Sequence, residues 1–145
     1  MPRIKLPLPD AFPFRTDLAL RVGDINYGGH LGNDAVLALC HEARIRCLEQ
    51  LGYSEMDIGG VGIIMSDAVV VYRSEGRRGE IARVDVALRE LSPRGCDIIY
   101  RIAEAESSRE IARAKTGIVF YDYTRKKLAR LSEQALAALG RLEAA

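Results

Sequence analysis

The sequence predicts an α+β domain: a curved antiparallel sheet of about five strands wrapped around one long helix, with a short helix at the C-terminus. Three observations carry this. The segment "DAVLALCHEARIRCLEQLG" has helical caps and charge pairing, yet its first half is apolar on nearly its whole circumference. Four later segments are apolar or alternate with a period of two, and short turn sequences separate them. No linker, repeat or low-complexity tract interrupts residues 1–145, which therefore form a single domain.

The elements follow in order. Residues 1–13 carry four prolines and read as an extended lead-in, because proline removes backbone donors. "FRTDLALRV" is a half-buried strand, with Phe14, Thr16, Leu18, Leu20 and Val22 on one side and Arg15, Asp17 and Arg21 on the other. In the long helix, Asn33 or Asp34 caps the start, Gly52 ends it, and Glu42 with Arg46 forms an i,i+4 pair. A surface helix would show a polar face along "AVLALC", so this one is enclosed by other structure, and a curved sheet supplies the enclosure.

From Gly62 the period changes. "GIIMSDAVVVYR" is apolar and rich in β-branched residues. Three alternating strands follow, with core faces at Ala82, Val84, Val86 and Leu88, then Cys96, Ile98, Tyr100 and Ile102, then Ala112, Ala114, Thr116, Ile118 and Phe120. The separators "SEGRRG", "SPRG" and "ESSR" suit hairpin connections, and the arginines between the core positions predict a polar outer face. A short helix over 131–143, capped by Ser132, closes the chain.

Composition excludes several classes of function. Charge is nearly balanced, 21 basic against 20 acidic residues, so no general attraction to nucleic acid is expected. Cys40 and Cys47 lie about 10 Å apart along one helix, too far for a disulfide, which predicts reduced thiols. With no apolar run of signal-peptide or membrane-helix length, a cytoplasmic protein without membrane association is expected. His30 and His41 do not have metal-ligand spacing, so no metal is expected. Cys40 beside His41 is not a dyad, because neighbouring helical side chains diverge by about 100°.

The chemistry concentrates in "DINYGGHLGND", Asp24 to Asp34, at the strand-to-helix turn. Glycines at 28, 29 and 32 allow positive φ and close approach of a ligand. A carbonyl at the N-terminus of the following helix would be polarised by amides near Gly28 to His30, with the helix dipole behind them favouring negative charge on its oxygen. Asp24, Asn26 and His30 add polar groups in the same loop, an arrangement suited to acyl transfer or hydrolysis.

At this point the chain resembles the hot-dog-fold thioesterases, in particular their 4-hydroxybenzoyl-CoA thioesterase-like branch. That pattern runs Asp-x-Asp-x-x-Gly-His-Val-Asn-Asn, then a helix containing Glu-Ala-Arg. Here Asp24-Ile25-Asn26-Tyr27-Gly28-Gly29-His30-Leu31-Gly32-Asn33 precedes His41-Glu42-Ala43-Arg44, and "VVVYRSEGRRGE" matches a strand ending in tyrosine followed by a turn. The resemblance covers roughly residues 14–123. It implies a hot-dog fold and hydrolysis of an acyl thioester, carried by coenzyme A or acyl carrier protein, to a carboxylate and a free thiol. No separate cofactor is implied, since coenzyme A enters as part of the substrate. It also implies a homodimer joined edge to edge, with a dimer of dimers (a homotetramer) as a further step. Such pairing removes an exposed strand edge.

Carried over position by position, Asp24, Asn26, His30 and Glu42 are the candidate catalytic residues. Tyr27, Gly28, Gly29 and Asn33 are the candidate substrate-binding residues. The departure that matters is Asn26, which stands where the family usually has an aspartate acting as base or nucleophile. An amide neither takes a proton at neutral pH nor forms an anhydride, though it can orient water or donate to a carbonyl. The base then falls to Asp24, Glu42 or, from a neighbouring subunit, Asp67. Arg73, Arg77 and Arg78 form a solvated turn cluster able to meet coenzyme A phosphates. Asn26 also motivates the alternative, a non-hydrolytic acyl-thioester binding protein.

Overall fold

The computed structural model describes residues 2–144. Six strands form one antiparallel sheet: β1 (Phe14–Ala19), β2 (Gly62–Tyr72), β3 (Ile81–Ser92), β4 (Gly95–Glu104), β5 (Glu110–Asp122) and β6 (Lys127–Leu128). The spatial order is β1-β3-β4-β5-β2, with the two-residue β6 paired to β5. A 3₁₀ turn at Val22–Asp24 leads into the motif loop, α1 spans Asn33–Gln50, and α2 spans Glu133–Gly140. β6 and the 3₁₀ turn are too short to leave a periodic signal in the sequence.

Alternation decides which face is inside. Ala82, Val84, Val86 and Leu88 of β3, Ile98, Tyr100 and Ile102 of β4, and Ala112, Ala114, Thr116 and Phe120 of β5 are all buried against α1. These are the core faces that the period of two predicts. On β1 the pattern ends early: Leu18 and Leu20 are buried, but Val22 turns outward as the 3₁₀ turn begins.

α1 meets this concave face with Ala35, Val36, Leu39, Cys40, Ala43, Cys47 and Leu48. Cys40 and Ala43 are fully buried, and their small side chains let the helix axis approach the sheet. α1 ends in a Schellman arrangement: Gly52 N–H donates to Glu49 O and Tyr53 N–H to Leu48 O, with Gly52 at φ 81°. At its start, the expected cap is corrected. Gly32 is the N-cap residue, and neither Asn33 nor Asp34 caps with its side chain.

Full enclosure of α1 is also corrected. The helix is buried on one side only, and Leu37 and Ala38 on the other side are exposed. A single sheet offers one concave face, so the rest of the apolar circumference is left bare in the single chain. The outer face of the sheet carries the expected arginines, among them Arg83, Arg89, Arg101 and Arg113. Asp85, Ala87 and Ile99 are buried there. The proline-rich lead-in is tied down on that side, where Arg89 Nη1 donates to Pro7 O at 2.8 Å and Arg113 Nη1 to Leu6 O at 2.9 Å. Asp85 is balanced by Arg15 at 2.7 Å and Arg101 at 3.8 Å.

The three cysteines are free and buried, and burial pushes each thiol up to about 12, so none is a nucleophile at neutral pH. Among the described residues no helix is long and apolar enough to cross a membrane. The close approach of α1 to the sheet predicts the outcome of overpacking. Ala43→Leu should cost about 1–3 kcal/mol in urea unfolding, because the added carbons have no space at the helix–sheet contact.

Candidate active site

The motif loop is a tight hairpin held by its own backbone. Asn26 N–H donates to His30 O at 2.8 Å and Gly29 N–H to Asn26 O at 3.0 Å, and an isolated bridge joins Ile25 to Leu31. Of the motif's three glycines, Gly29 alone requires positive φ, at 83°. Asp24 braces the entrance: its Oδ2 accepts from Arg21 N–H at 2.8 Å and its carbonyl from Gly32 N–H at 2.9 Å.

Asn26 is locked from inside the loop. Its Oδ1 accepts from Gly28 N–H at 2.9 Å and from His30 N–H at 3.3 Å. The oxygen therefore points inward, and the Nδ2 amide is the group left to meet a ligand. These bonds correct the expected carbonyl site. The amides of Gly28, Gly29 and His30 are each satisfied within the loop, and Leu31 N–H is taken by Gly76 O at 2.7 Å. The donors left over lie two residues further on. With no side-chain cap, the amides of Asn33 and Asp34 have no partner among the described residues.

The four catalytic candidates divide into two groups. Asp24 and Glu42 line one cleft of about 340 Å³ with Arg21 and Arg46. In that cleft Glu42 keeps its helix pairing, with Arg46 Nε donating to Glu42 Oε2 at 2.9 Å. Arg46 also reaches Thr16 Oγ1 at 2.9 Å, which ties α1 to β1. Asn26 and His30 sit in the loop, and His30 Nε2 pairs with Glu75 Oε2 at 3.0 Å. Tyr27 is fully exposed, and Asn33 offers its carbonyl to Tyr72 Oη at 3.1 Å. Asp67 lies on β2, held by Lys115 Nζ at 2.7 Å and Gly117 N–H at 3.1 Å, contacts that lower its carboxyl below the ordinary value. Arg77 reaches Glu75 at 3.7 Å and is exposed.

Glu75, in the β2–β3 connection, is a site neighbour that sequence reasoning missed, because it reaches His30 only through folding, whereas Tyr72, the tyrosine that ends β2 in the matched pattern, reaches Asn33. A polar chain that runs from the exposed His41 into the core was missed as well. His41 Nε2 meets Glu55 Oε1 at 2.7 Å, and Arg44 Nε donates to Glu55 Oε2 at 2.6 Å. Arg44 Nη1 then donates to Tyr100 Oη at 3.1 Å, and Tyr100 Oη meets Thr116 Oγ1 at 2.8 Å. Burial pushes the Tyr100 hydroxyl up to about 12. Burial works against the Glu55 charge, but hydrogen bonds from Arg44 and His41 outweigh it and hold the carboxyl below its ordinary 4.5. Among the described residues no cluster of His, Cys, Asp and Glu is placed to hold a metal ion.

A family model described as the thioesterase-like superfamily matches residues 20–139. The chain belongs to that superfamily. Among solved structures it is similar to a 1,4-dihydroxy-2-naphthoyl-CoA thioesterase from Synechocystis, with 23% identity, 88% of this chain and 95% of that chain covered, and a TM-score of 0.79. A hypothetical protein from Thermus thermophilus matches at 24% identity, with 89% and 98% covered and a TM-score of 0.80. A protein from Pseudomonas aeruginosa matches at 16% identity, with 96% and 97% covered and a TM-score of 0.85. No curated protein matches the chain. The hot-dog fold expected from the motif is thus the fold observed.

The depressed Glu55 carboxyl fixes the sign of a pH effect on this hot-dog domain. Its contribution to stability is complete above the unfolded-state value near 4.5 and is lost as pH falls through the lower folded-state value. Melting temperature should therefore drop on acidification below about pH 4.5. Glu55→Gln should flatten that part of the profile while lowering stability at neutral pH.

Proposed function

We propose that the protein is an acyl-CoA thioesterase, hydrolysing a thioester to a carboxylic acid and a free thiol. The observation that carries this reading is the uncapped start of α1 beside Asn26 and His30. Two unpaired amides and the helix dipole favour an oxygen that gains negative charge, as a thioester carbonyl does under attack. Asn26 Nδ2 donates to that oxygen or to the attacking water. His30, with Glu75 fixing one ring nitrogen, accepts the water proton on the other nitrogen and returns it to the departing thiolate. The acid missing at position 26 is thereby replaced by an imidazole four residues on. Superfamily membership supports the reaction class, and solved relatives described as acting on CoA thioesters support coenzyme A as the carrier.

The active form in this reading is a homodimer. β2 is an edge strand paired only with β5, and Met65 and Tyr72 along it are exposed, as is Leu37 on the neighbouring bare side of α1. Joining two β2 edges would remove both liabilities. A non-hydrolytic binding protein is the second reading, favoured by one fact: the side chain at position 26 cannot accept a proton.

Thiol release from a panel of acyl-CoAs separates the two. Under the enzyme reading His30→Gln should lower kcat by about 10²–10⁴. Asn26→Asp keeps the two inward hydrogen bonds and exchanges the free donor for a carboxylate, so it should fold normally and raise turnover above that of Asn26→Ala. Binding of acyl-CoA without thiol release would establish the second reading. Light scattering should give a mass twice the 16.0 kDa of the chain or a multiple of that dimer.

A further inference from the structure

The hydrogen bonds that hold Leu6 and Pro7 against the sheet leave a cavity of about 900 Å³ between the lead-in and the end of β2. Four cationic side chains line it: Arg3 and Lys5 from the lead-in, Arg73 just after β2, and Arg113 from β5. No acidic residue lines it. Arg113 is the balanced one, because its Nε and Nη2 donate to Glu110 Oε1 and Oε2 at 2.6 and 2.8 Å. Glu110 is thereby occupied, and its carboxyl is held below the ordinary 4.5 by Arg113 first, with Arg73 and Arg101 adding to the field. Arg3, Lys5 and Arg73 form no side-chain ion pair among the described residues. Three positive charges thus border one space without a counter-ion from the chain.

The rest of the lining suits something larger than an inorganic anion. The volume lies within the range of about 300–1,000 Å³ that small-molecule sites occupy. Ile4, Leu6 and Val71 supply apolar surface, and Tyr72 presents an exposed ring. Its Oη donates to Asn33 O at 3.1 Å, which fixes the ring before any ligand arrives. A fixed aromatic ring stacks on a planar base, and an arginine fork grips phosphate oxygens in pairs. Val71 faces Arg113 across the β2–β5 pair, and Arg73 N–H donates to Ile111 O at 2.8 Å. One wall is therefore mounted on the sheet, and Arg3 and Lys5 form the other.

We infer that the lead-in and the end of β2 form a binding site for a phosphorylated nucleoside, with Arg3, Lys5 and Arg73 on the phosphates and Tyr72 against the base. The site goes beyond the thioester reading and does not rest on it. Two sources offer this chemistry. One is the nucleotide end of a coenzyme A thioester, since Tyr72 joins the cavity to the first residue of α1. The other is a free nucleotide that binds independently of hydrolysis. In both, phosphate oxygens meet three unpaired cations, and each exposed cation contributes modestly because solvent screens it.

Titration calorimetry of the full chain with adenosine 3′,5′-bisphosphate, adenosine and inorganic phosphate tests the site. The bisphosphate should bind at least about tenfold more tightly than either fragment, and the doubly substituted Arg3→Ala/Lys5→Ala protein should lose about tenfold of that affinity. Both residues are exposed, so the core stays intact, which an unchanged melting temperature checks. No binding to the native chain, equal affinity for inorganic phosphate, or an unchanged Kd in the variant each overturns the inference. Thiol release from one acyl group, carried on coenzyme A or on pantetheine, then separates the sources. A KM raised in the variant for the coenzyme A ester alone identifies the nucleotide end of the substrate. An unchanged KM for both esters identifies a free nucleotide. Should neither ester release thiol, the hydrolysis reading fails, and the calorimetry decides the inference alone.

Discussion

The structure depends on how closely α1 lies on the concave sheet. Cys40, Ala43 and Cys47 present a narrow ridge of small side chains, flanked by Val36, Leu39 and Leu48, and the sheet answers with alternating residues of β3, β4 and β5. Larger residues on that ridge would lift the helix and pull its first turn away from the loop. The position of that turn gives the site its character, because Gly32 N–H is bonded to Asp24 O and Tyr72 Oη to Asn33 O. Packing in the core therefore sets where two unpaired amides stand at the surface.

The sequence was most readable where one residue type repeats at a fixed period. The core faces of β3, β4 and β5 and the Gly52 end of α1 follow from alternation and from one glycine. It was less readable where a partner is distant in the chain. Glu75 reaches His30, Glu55 reaches His41 and Arg44, and Pro7 reaches Arg89 only once the sheet exists. The apolar circumference of α1 was a true signal given too narrow a cause. The sheet of the same chain covers one face of the helix and leaves Leu37 and Ala38 on the other exposed.

The motif loop shows how a correct location can carry a wrong detail. Three glycines and a polar cluster marked the site, but the loop amides are consumed by Asn26 itself. Its side-chain oxygen does for the hairpin what one aspartate oxygen would do. The substitution leaves the scaffold unchanged and alters only the atom offered to a ligand, from an acceptor to a donor. Catalysis at such a site then needs a separate base, and the His30–Glu75 pair is adjacent to it.

The central claim concerns where the acyl oxygen rests. A crystal structure with an acyl-CoA analogue in which a methylene replaces the thioester sulfur tests it directly. The account predicts the ketone oxygen within about 3 Å of the Asn33 or Asp34 amide, with Asn26 Nδ2 alongside. An oxygen bound away from the start of α1, with those two amides facing only water, would contradict it.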